Sequence, residues 1–310
     1  MNGLAVLGAF VADMTFVADR LPGIGETIIG SGFSLGPGGK GSNQAVAAAR
    51  AGAEVRFISK VGRDAFGQIA YRTHAEAGVT PCLTVIDDVP TGSAFVYVND
   101  RTGDNSIIIY PGASGTLSPA DVESARVVIE SASIFLAQLE QPVDTAVYAL
   151  RIARECGVRT IFNPSPISAV PSQAFALCDY VVPNEVEAAA LVGFELDNLD
   201  AARRAGDALI KLGAGTALIT LGRRGALYHT KSESVHVEAK SAGEVIDTVG
   251  AGDAFLGAFC AGLSAGRGAL DAVHFGCAAA AITVTRRGTV SAMPTLSEIE
   301  SLLERDASRP

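Results

Sequence analysis

A glycine-rich segment that ends in an acidic residue carries the most specific chemical pattern in this chain. Residues 247–255 read Asp-Thr-Val-Gly-Ala-Gly-Asp-Ala-Phe and open a predicted helix. Glycines allow backbone amides to converge at a helix N-terminus, where unpaired N–H groups and the helix dipole attract an anion. Asp253 would repel a resting phosphate, but its carboxylate could accept the proton of a hydroxyl that attacks that phosphate. The alternative is that Asp253 only caps the helix and the glycines only allow close packing.

A second glycine-rich segment carries a basic and an amide side chain at helical spacing. Residues 36–44 read Gly-Pro-Gly-Gly-Lys-Gly-Ser-Asn-Gln, with Lys40 and Asn43 three positions apart. A helix that begins here would turn both side chains toward one site, where they could hold hydroxyl groups. The segment also matches the Gly-x-Gly-x-x-Gly pattern of dinucleotide-binding folds, but no strand of a β-α-β unit precedes it. Because Gly41 follows Lys40 where Ser or Thr is required, a Walker A loop is excluded.

Polar residues also follow several predicted strands. Asn184 and Glu187 share the first turn of a helix after the strand Tyr180–Val182, and they could orient the waters of a phosphate-bound Mg²⁺ ion. A capping box, in which Asn184 caps the helix and Glu187 reaches back, is an equally good interpretation. Residues 220–225 (Thr-Leu-Gly-Arg-Arg-Gly) end another strand in a glycine-flanked basic turn that suits a nucleotide, although an ordinary hairpin turn would show the same pattern.

Asp13 and Glu140 each lie just past an apolar strand, and each by itself favours a solvated loop acid. Their positions nevertheless agree with those of Asn184 and Thr220, because all four fall at the carboxyl ends of predicted strands. In an open parallel sheet these ends lie at one edge, which is where ligands bind. If each of the four residues had a separate structural role, nothing would require all of them to lie at the same edge of the sheet. The shared edge therefore favours one binding site.

A serine-hydrolase pattern competes with this interpretation. Residues 262–266 (Gly-Leu-Ser-Ala-Gly) match the Gly-x-Ser-x-Gly elbow, which requires a strand before the serine and a helix after it. Here Ser264 falls at the end of a predicted helix, and His274 lies on the next one. We therefore interpret the segment as a helix C-terminus.

Strand and helix patterns alternate along most of the chain, from a first strand at Leu4–Phe10 to a last helix at Leu296–Glu304. This alternation predicts an α/β fold, with a mostly parallel sheet and helices on both faces. Two β-rich segments, at about 14–33 and 92–111, lack an intervening helix pattern. We predict that they form four short strands of a lid over one end of the sheet, rather than an extension of the main sheet. Their β-rich runs are Thr27–Ile29, Ala94–Val98 and Ser106–Tyr110.

Composition narrows the function classes. The 310 residues are 48% hydrophobic and 18% charged, so a sizeable core can form and disorder is excluded. With a net charge of −9, the chain is not expected to bind nucleic acid. The longest apolar run, 254–266, is too short for a bilayer, and the N-terminus lacks the basic region of a signal peptide. Five scattered cysteines without a Cys-x-x-Cys pair favour a reducing cytoplasm, and we expect one domain over 1–310.

Taken together, these segments resemble the ribokinase / PfkB carbohydrate kinase family. Its two signature segments match residues 38–45 and 247–253, in the correct order. Further motifs match Asn184, Glu187 and residues 220–225, and the resemblance runs through Pro294. It implies a ribokinase-like three-layer α/β sandwich with a small β-sheet lid, and a homodimer formed through the lids. It also implies ATP-dependent phosphorylation of a primary sugar hydroxyl, O5 of D-ribose in members that act on ribose, to give ribose 5-phosphate. Mg²⁺ and a monovalent cation, usually K⁺, are the implied cofactors, and ATP is the co-substrate.

The resemblance further implies a role for each matching position. Asp253 matches the catalytic base, and the amides of Gly250, Ala251 and Gly252 match the anion hole for the developing charge. The sugar site corresponds to Val11, Asp13, Gly39, Lys40, Asn43, Glu140 and Asp253. The ATP site corresponds to Asn184, Thr220, Gly222, Arg223, Gly225, Gly252 and Cys277. Asn184 and Glu187 match the Mg²⁺–phosphate region, and the K⁺ positions, mostly backbone carbonyls, are Asp247, Val249, Thr283, Arg286, Gly288 and Ala292.

Three positions depart from the family pattern. The family typically has Asn two residues before the sugar-binding Asp, and Val11 stands there in this chain. A valine cannot hydrogen-bond a sugar hydroxyl, and a site that lacks such a bond discriminates less against a deoxy sugar. A kinase for 2-deoxyribose, for another sugar or for a nucleoside is therefore the alternative function. At the cation site Ala292 replaces a serine, for which Ser291 could compensate, and Cys277 replaces a polar ring near the adenine.

Overall fold

The structure, a computed structural model, describes residues 3–307 and contains a large sheet of nine strands. In order across the sheet these are β13 (Ser234–Val237), β12 (Ala226–His229), β11 (Thr216–Thr220), β10 (Tyr180–Val181), β9 (Arg159–Phe162), β8 (Ile134–Ala137), β1 (Leu4–Leu7), β4 (Val55–Gly62) and β5 (Val79–Ile86). The strands from β11 to β5 are mutually parallel, whereas β12 is antiparallel to both of its neighbours. The predicted, mostly parallel sheet is confirmed.

Helices cover both faces of this sheet. One face carries α1 (Lys40–Arg50), α2 (Ala65–Ala77), α8 (Ala251–Ser264), α9 (Ala269–Thr283) and α10 (Leu296–Ala307), and the other carries α3 (Pro119–Ser124), α4 (Arg126–Glu130), α5 (Val143–Glu155), α6 (Glu185–Val192) and α7 (Leu199–Lys211). In β1, Leu4 and Val6 pack on the first face, and Ala5 and Leu7 on the second. This is the predicted three-layer α/β sandwich. Among residues 3–307, no helix combines the length and apolarity needed to cross a bilayer.

A second, four-stranded sheet lies beside the main one. Its order is β3 (Gly32–Gly38), β2 (Val11–Ala18), β6 (Thr91–Asn99) and β7 (Asn105–Gly112). Its strands β2 and β6 run parallel, and β3 and β7 pair with them in the antiparallel sense. Since side chains alternate along a strand, Val11 and Asp13 share one face of β2, and Met14 and Phe16 share the other. The predicted small β-sheet lid is thus present.

Local details of the first strands differ from the sequence prediction. The strand predicted at Thr27–Ile29 is wrong, because these residues lie in the loop between β2 and β3. Glu26 closes a turn there by accepting from the Gly23 amide at 2.9 Å, while β3 takes up the pairing with β2. Cross-strand pairing thus overrides the β propensity of Thr and Ile. The first strand ends at Leu7 rather than Phe10, and Asp13, predicted just past it, lies within β2.

Strand β5 was not predicted. It pairs with β4 along its whole length and forms the edge of the main sheet. It contains Pro81, which lacks an N–H group and is tolerated only where that group faces away from a neighbouring strand. The proline weakened the strand pattern in the sequence.

Candidate active site

Loops and helix ends at the carboxyl edge of the main sheet enclose a cavity of about 200 Å³. It is lined by Lys40, Asn163, Ser165, Val182, Asn184, Glu187, Thr220, Gly250, Gly252, Asp253, Phe255 and Leu256. These residues come from the start of α1, from the ends of β9, β10 and β11, and from the starts of α6 and α8. The structure therefore brings together side chains from most of the segments singled out in the sequence.

Helix α8 presents its N-terminus to this cavity. Gly250 is its N-cap with φ of 76°, a left-handed conformation that glycine adopts without strain. The first amides of a helix have no intrahelical acceptor. Within residues 3–307 no protein group accepts from the amides of Gly250 and Gly252, whereas the Ala251 amide donates to the Thr248 carbonyl at 3.3 Å. In the part of the chain that the structure describes, two of the three predicted anion-hole amides thus have no acceptor, and the third donates to the preceding turn.

Asp253 lies in the first turn of α8 and accepts a hydrogen bond on each carboxylate oxygen. Gln44 Nε2 donates to Oδ1 at 2.9 Å, and Asn43 Nδ2 donates to Oδ2 at 3.1 Å. Burial raises the pKa of Asp253, and the Glu187 carboxylate adds to the rise, while the charge of Lys40 and the two amide donors oppose it. The amide donors favour the ionised carboxylate, which is the form that a general base needs.

Three residues that support this carboxylate had no predicted role: Gln44, Gln138 and Asn163. Gln44 Nε2 also donates to Asn163 Oδ1 at 3.1 Å, and Gln44 Oε1 accepts from Gln138 Nε2 at 2.6 Å. A signal was present, since Gln138 and Asn163 each stand at the carboxyl end of a predicted strand, as Asn184 does. Their positions at the ligand-binding edge of a parallel sheet could therefore have identified both residues.

Lys40 and Glu140 join α1 to the loop after β8. The Lys40 amide donates to Glu140 Oε2 at 2.6 Å. The N-cap, Gly39, has φ of 92°, and a Cβ there would lie 2.4 Å from a backbone oxygen just before β2. Burial raises the pKa of Glu140 to about 7, with smaller contributions from the Asp253 and Asp13 carboxylates, although Lys40 opposes the rise. Three carboxyl groups and one ammonium group therefore interact electrostatically here.

Asp13 approaches the same region from the small sheet. A Cβ added to Gly38 would lie 2.2 Å from Asp13 Oδ2, so the carboxylate rests against backbone that only glycine allows. Burial raises the pKa of Asp13 to about 6. Val11, on the same face of β2, is 6% exposed, and its Cγ1 would lie 2.9 Å from a Cβ on Gly92. A hydrocarbon surface thus stands beside the Asp13 carboxylate.

Asn184 and Glu187 form a capping box at the start of α6. The Asn184 amide donates to Glu187 Oε2, and the Glu187 amide donates to Asn184 Oδ1, both at 2.8 Å. Both residues also line the cavity, and Asn184 forms a parallel bridge with Thr220 at the end of β11. The capping interpretation therefore holds, and the cavity still has a carboxylate in its wall. Such a donor set fits a hydrated Mg²⁺ ion, which takes oxygen ligands and keeps several waters.

The turn after β11 contains a short 3₁₀ helix, Gly222–Arg224. Its two arginines differ in their surroundings. Arg224 Nη2 donates to Glu185 Oε2 at 2.6 Å, which ties the turn to α6. Arg223 is exposed and forms no ion pair within the part of the chain that is described. Arg223 is therefore the arginine of this turn that remains available to a ligand.

The positions predicted for a monovalent cation fall into two hydrogen-bonded groups. In the first, Asp247 accepts from the amides of Val249 at 3.0 Å and Gly288 at 3.1 Å. Both carboxylate oxygens of Asp247 are thereby used to tie the segment before α8 to the loop after α9. The Asp247 carboxylate is therefore engaged in a structural link between these two segments.

The second group lies at the end of α9. The Thr283 carbonyl accepts from the Arg286 amide at 3.1 Å, and the Ala292 carbonyl accepts from Arg286 Nη1 at 3.5 Å. The Thr283 hydroxyl donates to the Ala279 carbonyl at 2.9 Å. A cation here would depend on the second lone pairs of these carbonyls, because the side chains are engaged.

Two other features of the sequence lie away from the cavity. Cys277 is 5% exposed in the apolar core of α9, where burial raises its pKa to about 12, and it is not among the residues that line the cavity. Ser264 is the last residue of α8, so the Gly-x-Ser-x-Gly match is a helix C-terminus, as interpreted. A larger depression, of about 500 Å³, lies at the amino ends of β8 and β9 and contains none of the predicted site residues.

The cavity combines a half-buried carboxylate, helix amides without an acceptor among the described residues, and a lysine. A carboxylate in this setting can take a proton from an alcohol, and the amides can stabilise negative charge that develops on a phosphoryl group. The residues thus suit transfer of a phosphoryl group to a hydroxyl.

Comparison with known proteins agrees with this chemistry. The pattern of the pfkB family carbohydrate kinases matches residues 1–296. A protein of Staphylococcus aureus (strain COL) named ribokinase is 36% identical over 304 residues, which are 97% of this chain and 99% of that protein. A protein of Salmonella typhi named deoxyribokinase is 34% identical over 304 residues, which are 97% of this chain and 98% of that protein. The structure of Arabidopsis thaliana ribokinase complexed with ribose and ATP superposes with a TM-score of 0.91 and 29% identity, over 98% of this chain and 99% of that chain. The chain belongs to the pfkB family of carbohydrate kinases.

Proposed function

We propose that the protein transfers the γ-phosphoryl group of ATP to the primary hydroxyl O5 of D-ribose, which gives ribose 5-phosphate. The observation that carries this proposal is the position of Asp253, whose carboxylate shares one cavity with the Gly250 and Gly252 backbone. A base and an anion-binding helix terminus at one place serve the two ends of a phosphoryl transfer. The ribokinase of Staphylococcus aureus and the ribose- and ATP-bound ribokinase structure support the choice of substrates.

In the proposed reaction, Asp253 accepts the proton of the sugar hydroxyl while that oxygen forms a bond to the γ-phosphorus. The bond from the γ-phosphorus to the bridging oxygen breaks, and ADP leaves. The amides of Gly250, Ala251 and Gly252 receive the negative charge on the phosphoryl oxygens, with the Ala251 amide released from Thr248, and the Lys40 ammonium adds positive charge. A bound Mg²⁺ ion, held through Asn184 and Glu187, would neutralise phosphate charge.

The sugar lies, in this proposal, among polar groups that have spare hydrogen-bonding capacity. Asn43 Oδ1 is buried and has no partner among the described residues, so it can accept from a sugar hydroxyl. The carboxylates of Asp13 and Glu140 are desolvated, which raises their pKa values, and hydroxyl donors would stabilise their ionised forms. Lys40 supplies donors, and Gly39 allows the backbone to approach the sugar closely.

ATP is placed along the ends of β10 and β11. Asn184 and Thr220 adjoin each other at this edge. The turn that follows offers the nucleotide the backbone of Gly222 and Gly225 and the side chain of Arg223. Gly252 binds the phosphoryl group that is transferred. The role of Cys277 near the adenine stays a prediction, because its side chain lies in the apolar core and not in the wall of the cavity.

A monovalent cation such as K⁺ is proposed beside the segment that precedes α8. Asp247 already links Val249 to Gly288, so the backbone carbonyls of these segments are held near one another. The remaining donors would be the carbonyls of Thr283, Arg286, Gly288 and Ala292. Such a cation would steady the peptides that lead into Gly250, and K⁺ dependence of the rate tests it.

A second candidate substrate is 2-deoxyribose, and Val11 is the observation that favours it. The side chain of Val11 is buried next to Gly92 and cannot hydrogen-bond a hydroxyl. The deoxyribokinase of Salmonella typhi, at 34% identity, is as extensive a match as the ribokinase. The ratio of kcat/KM values for the two sugars separates the candidates.

The apolar outer face of the small sheet supports the proposal of a homodimer that forms through the lids. Phe33, Leu35 and Ile108 are 61%, 43% and 71% exposed, and Phe16 packs its ring 5.0 Å from that of Phe33. Exposed apolar surface of this kind marks an interaction site. A second copy of the sheet would cover it. We place the enzyme in the cytoplasm, since all five cysteines are free thiols.

One assay tests the proposed function. Purified protein with MgATP and K⁺ is given ribose, 2-deoxyribose, other pentoses, hexoses and nucleosides, and ADP is measured. We expect ribose or 2-deoxyribose to be the best substrate, with the product phosphorylated at O5. Absence of ADP formation with every compound would refute the proposal.

A further inference from the structure

The Asp253 carboxylate is supported by a chain of amides whose donors and acceptors can be ordered from a single fixed point. The Val182 carbonyl can only accept, and Asn163 Nδ2 donates to it at 2.8 Å. Asn163 Oδ1 therefore faces Gln44, which must turn Nε2 toward it, at 3.1 Å. The same nitrogen has a second hydrogen, which it donates to Asp253 Oδ1 at 2.9 Å. The direction of every bond follows from the carbonyl of Val182.

The other end of Gln44 agrees with this order. Its Oε1 accepts from Gln138 Nε2 at 2.6 Å. Exchanging the oxygen and nitrogen of the Gln44 amide would therefore leave three mismatches, at Gln138, at Asn163 and at Asp253. Gln44 is 1% exposed and Gln138 is 0% exposed, and neither side chain can turn to water. Packing also restrains the Gln138 side chain, because its Oε1 lies so close to the Gly41 backbone that a Cβ on Gly41 would be 2.8 Å away.

We propose that Gln44 is a positioning residue that holds the Asp253 carboxylate in place and ready to accept a proton, through the ordered chain Gln138–Gln44–Asn163. This inference rests on the proposed function and deepens it. Gln44 can offer Asp253 only a donor, so Oδ1 is held as an acceptor, in the state that a base requires. These hydrogen-bonded amides join α1, the ends of β8 and β9, and α8. Gln44 and Asp253 themselves are 209 positions apart in the sequence.

Other groups that face Asp253 act differently. Asn43 on α1 donates to the second oxygen, Lys40 on α1 contributes positive charge, and Glu187 on α6 contributes negative charge. The carboxyl of Glu140, from the loop after β8, interacts with Asp253 through charge. Of these groups, Asn43 also faces the proposed sugar, so its substitution would change KM as well as kcat. Gln44 is buried behind the carboxylate, so its substitution isolates the positioning role.

The test uses Gln44→Met and Gln44→Glu in the full chain. For Gln44→Met we expect kcat to fall at least about 10-fold at pH 7, with the KM values for sugar and ATP within about 2-fold of the wild type. The acid limb of kcat should move to higher pH, because a donor that favours the ionised base is lost. Gln44→Glu keeps the size and the contact to Gln138, but it sets a second carboxyl about 3 Å from the first. Two such groups cannot both ionise, so the limb should move further.

Gln141→Met is the matched control. Gln141 is also buried, at 3% exposed, and its Nε2 donates to the Gln138 carbonyl at 2.7 Å without reaching Asp253. We expect this variant to lose comparable stability but to keep kcat and its pH profile. Unchanged pH profiles in both Gln44 variants, or a fall in kcat that Gln141→Met reproduces, would overturn the inference. If Gln44→Met does not fold, Gln44→Glu decides. An inactive wild type refutes the proposed function itself, whereas an active wild type with unaffected Gln44 variants refutes only the positioning role.

Discussion

The backbone amide of Lys40 lies 2.6 Å from Glu140 Oε2, so the first peptide of α1 binds a carboxyl group from the loop after β8. A helix N-terminus favours an anion at this place. Burial nevertheless dominates and raises the pKa of Glu140 to about 7. The Glu140 carboxyl therefore changes its charge close to neutral pH.

The pH dependence of sugar capture follows from this value. If an ionised Glu140 is needed to accept sugar hydroxyls, kcat/KM for the sugar should fall below about pH 7, because that parameter reports groups of the free enzyme. In Glu140→Gln we expect kcat/KM to drop at least about 10-fold and its acid limb to move toward pH 6, the pKa of Asp13. Steady-state kinetics from pH 5 to 9 measures both. An acid limb that stays in place in Glu140→Gln would rule out this assignment.

Asp13 should lower stability at neutral pH. Its folded-state pKa is about 6 against an ordinary value of 3.8, so the stability present below about pH 4 is lost as the pH rises through 6. The loss amounts to at most about 3 kcal/mol, at about 1.4 kcal/mol per pKa unit. Asp13→Asn should therefore raise the Tm at pH 8 but not at pH 4, while activity falls. Thermal unfolding at the two pH values tests this, and equal shifts at both would contradict it.

Val11 should set the preference between ribose and 2-deoxyribose. Val11→Asn adds a side chain that can hydrogen-bond a sugar hydroxyl, so the ratio of kcat/KM for ribose to that for 2-deoxyribose should rise about 10-fold or more. Val11→Ala is the control, because it shortens the side chain without adding a hydrogen-bonding group. A ratio that Val11→Asn leaves unchanged, or that Val11→Ala raises equally, shows that this position does not select the sugar.

His74 should make the fold sensitive to acid. His74 lies on α2 and packs against the rings of Phe10 and Phe57, and its burial lowers its pKa to about 4 from 6.5. Its Nε2 lies 3.0 Å from Ser42 Oγ. The stability present above pH 6.5 is lost as the pH falls toward 4, because the unfolded chain binds the proton first. The loss is about 3 kcal/mol. Urea unfolding at pH 7.5 and 4.5 should show that acidification changes the free energy of unfolding less favourably in the wild type than in His74→Gln, by up to about 3 kcal/mol. Asp13 and Glu140, whose folded-state pKa values are raised, gain stability on acidification in both proteins, so their effect cancels in this difference. An equal change in both proteins would exclude His74 as the cause.

The sequence was most informative where the residues that predict a feature and the residues that form it lie in the same short segment. The α8 start could be predicted because the glycines and Asp253 lie within one helical turn, and Lys40 and Asn43 because their spacing sets a common face. The capping box of Asn184 and Glu187 was likewise visible as a local pattern. The alternation of apolar strands and helices was sufficient for the three-layer sandwich.

What could not be predicted depends on partners far away in the chain. Gln44 has no local mark of function, because its role comes from Asp253, Asn163 and Gln138, which only the folded sheet brings near. The strand expected at Thr27–Ile29 was wrong for the same reason, since the pairing of β2 with Gly32–Gly38 decides which residues form β3. Likewise the Arg224 ion pair with Glu185 separates it from Arg223, its neighbour in sequence.

Asp253 is proposed as the base of a phosphoryl transfer, and the Asp253→Asn variant is the sharpest test of that role. This change keeps the size of the side chain and removes the proton acceptor. We expect kcat for sugar-dependent ADP formation to fall at least about 100-fold, while calorimetry shows sugar binding within a few-fold of the wild type. Turnover close to that of the wild type, in a folded variant that binds the sugar, would show that Asp253 is not the base.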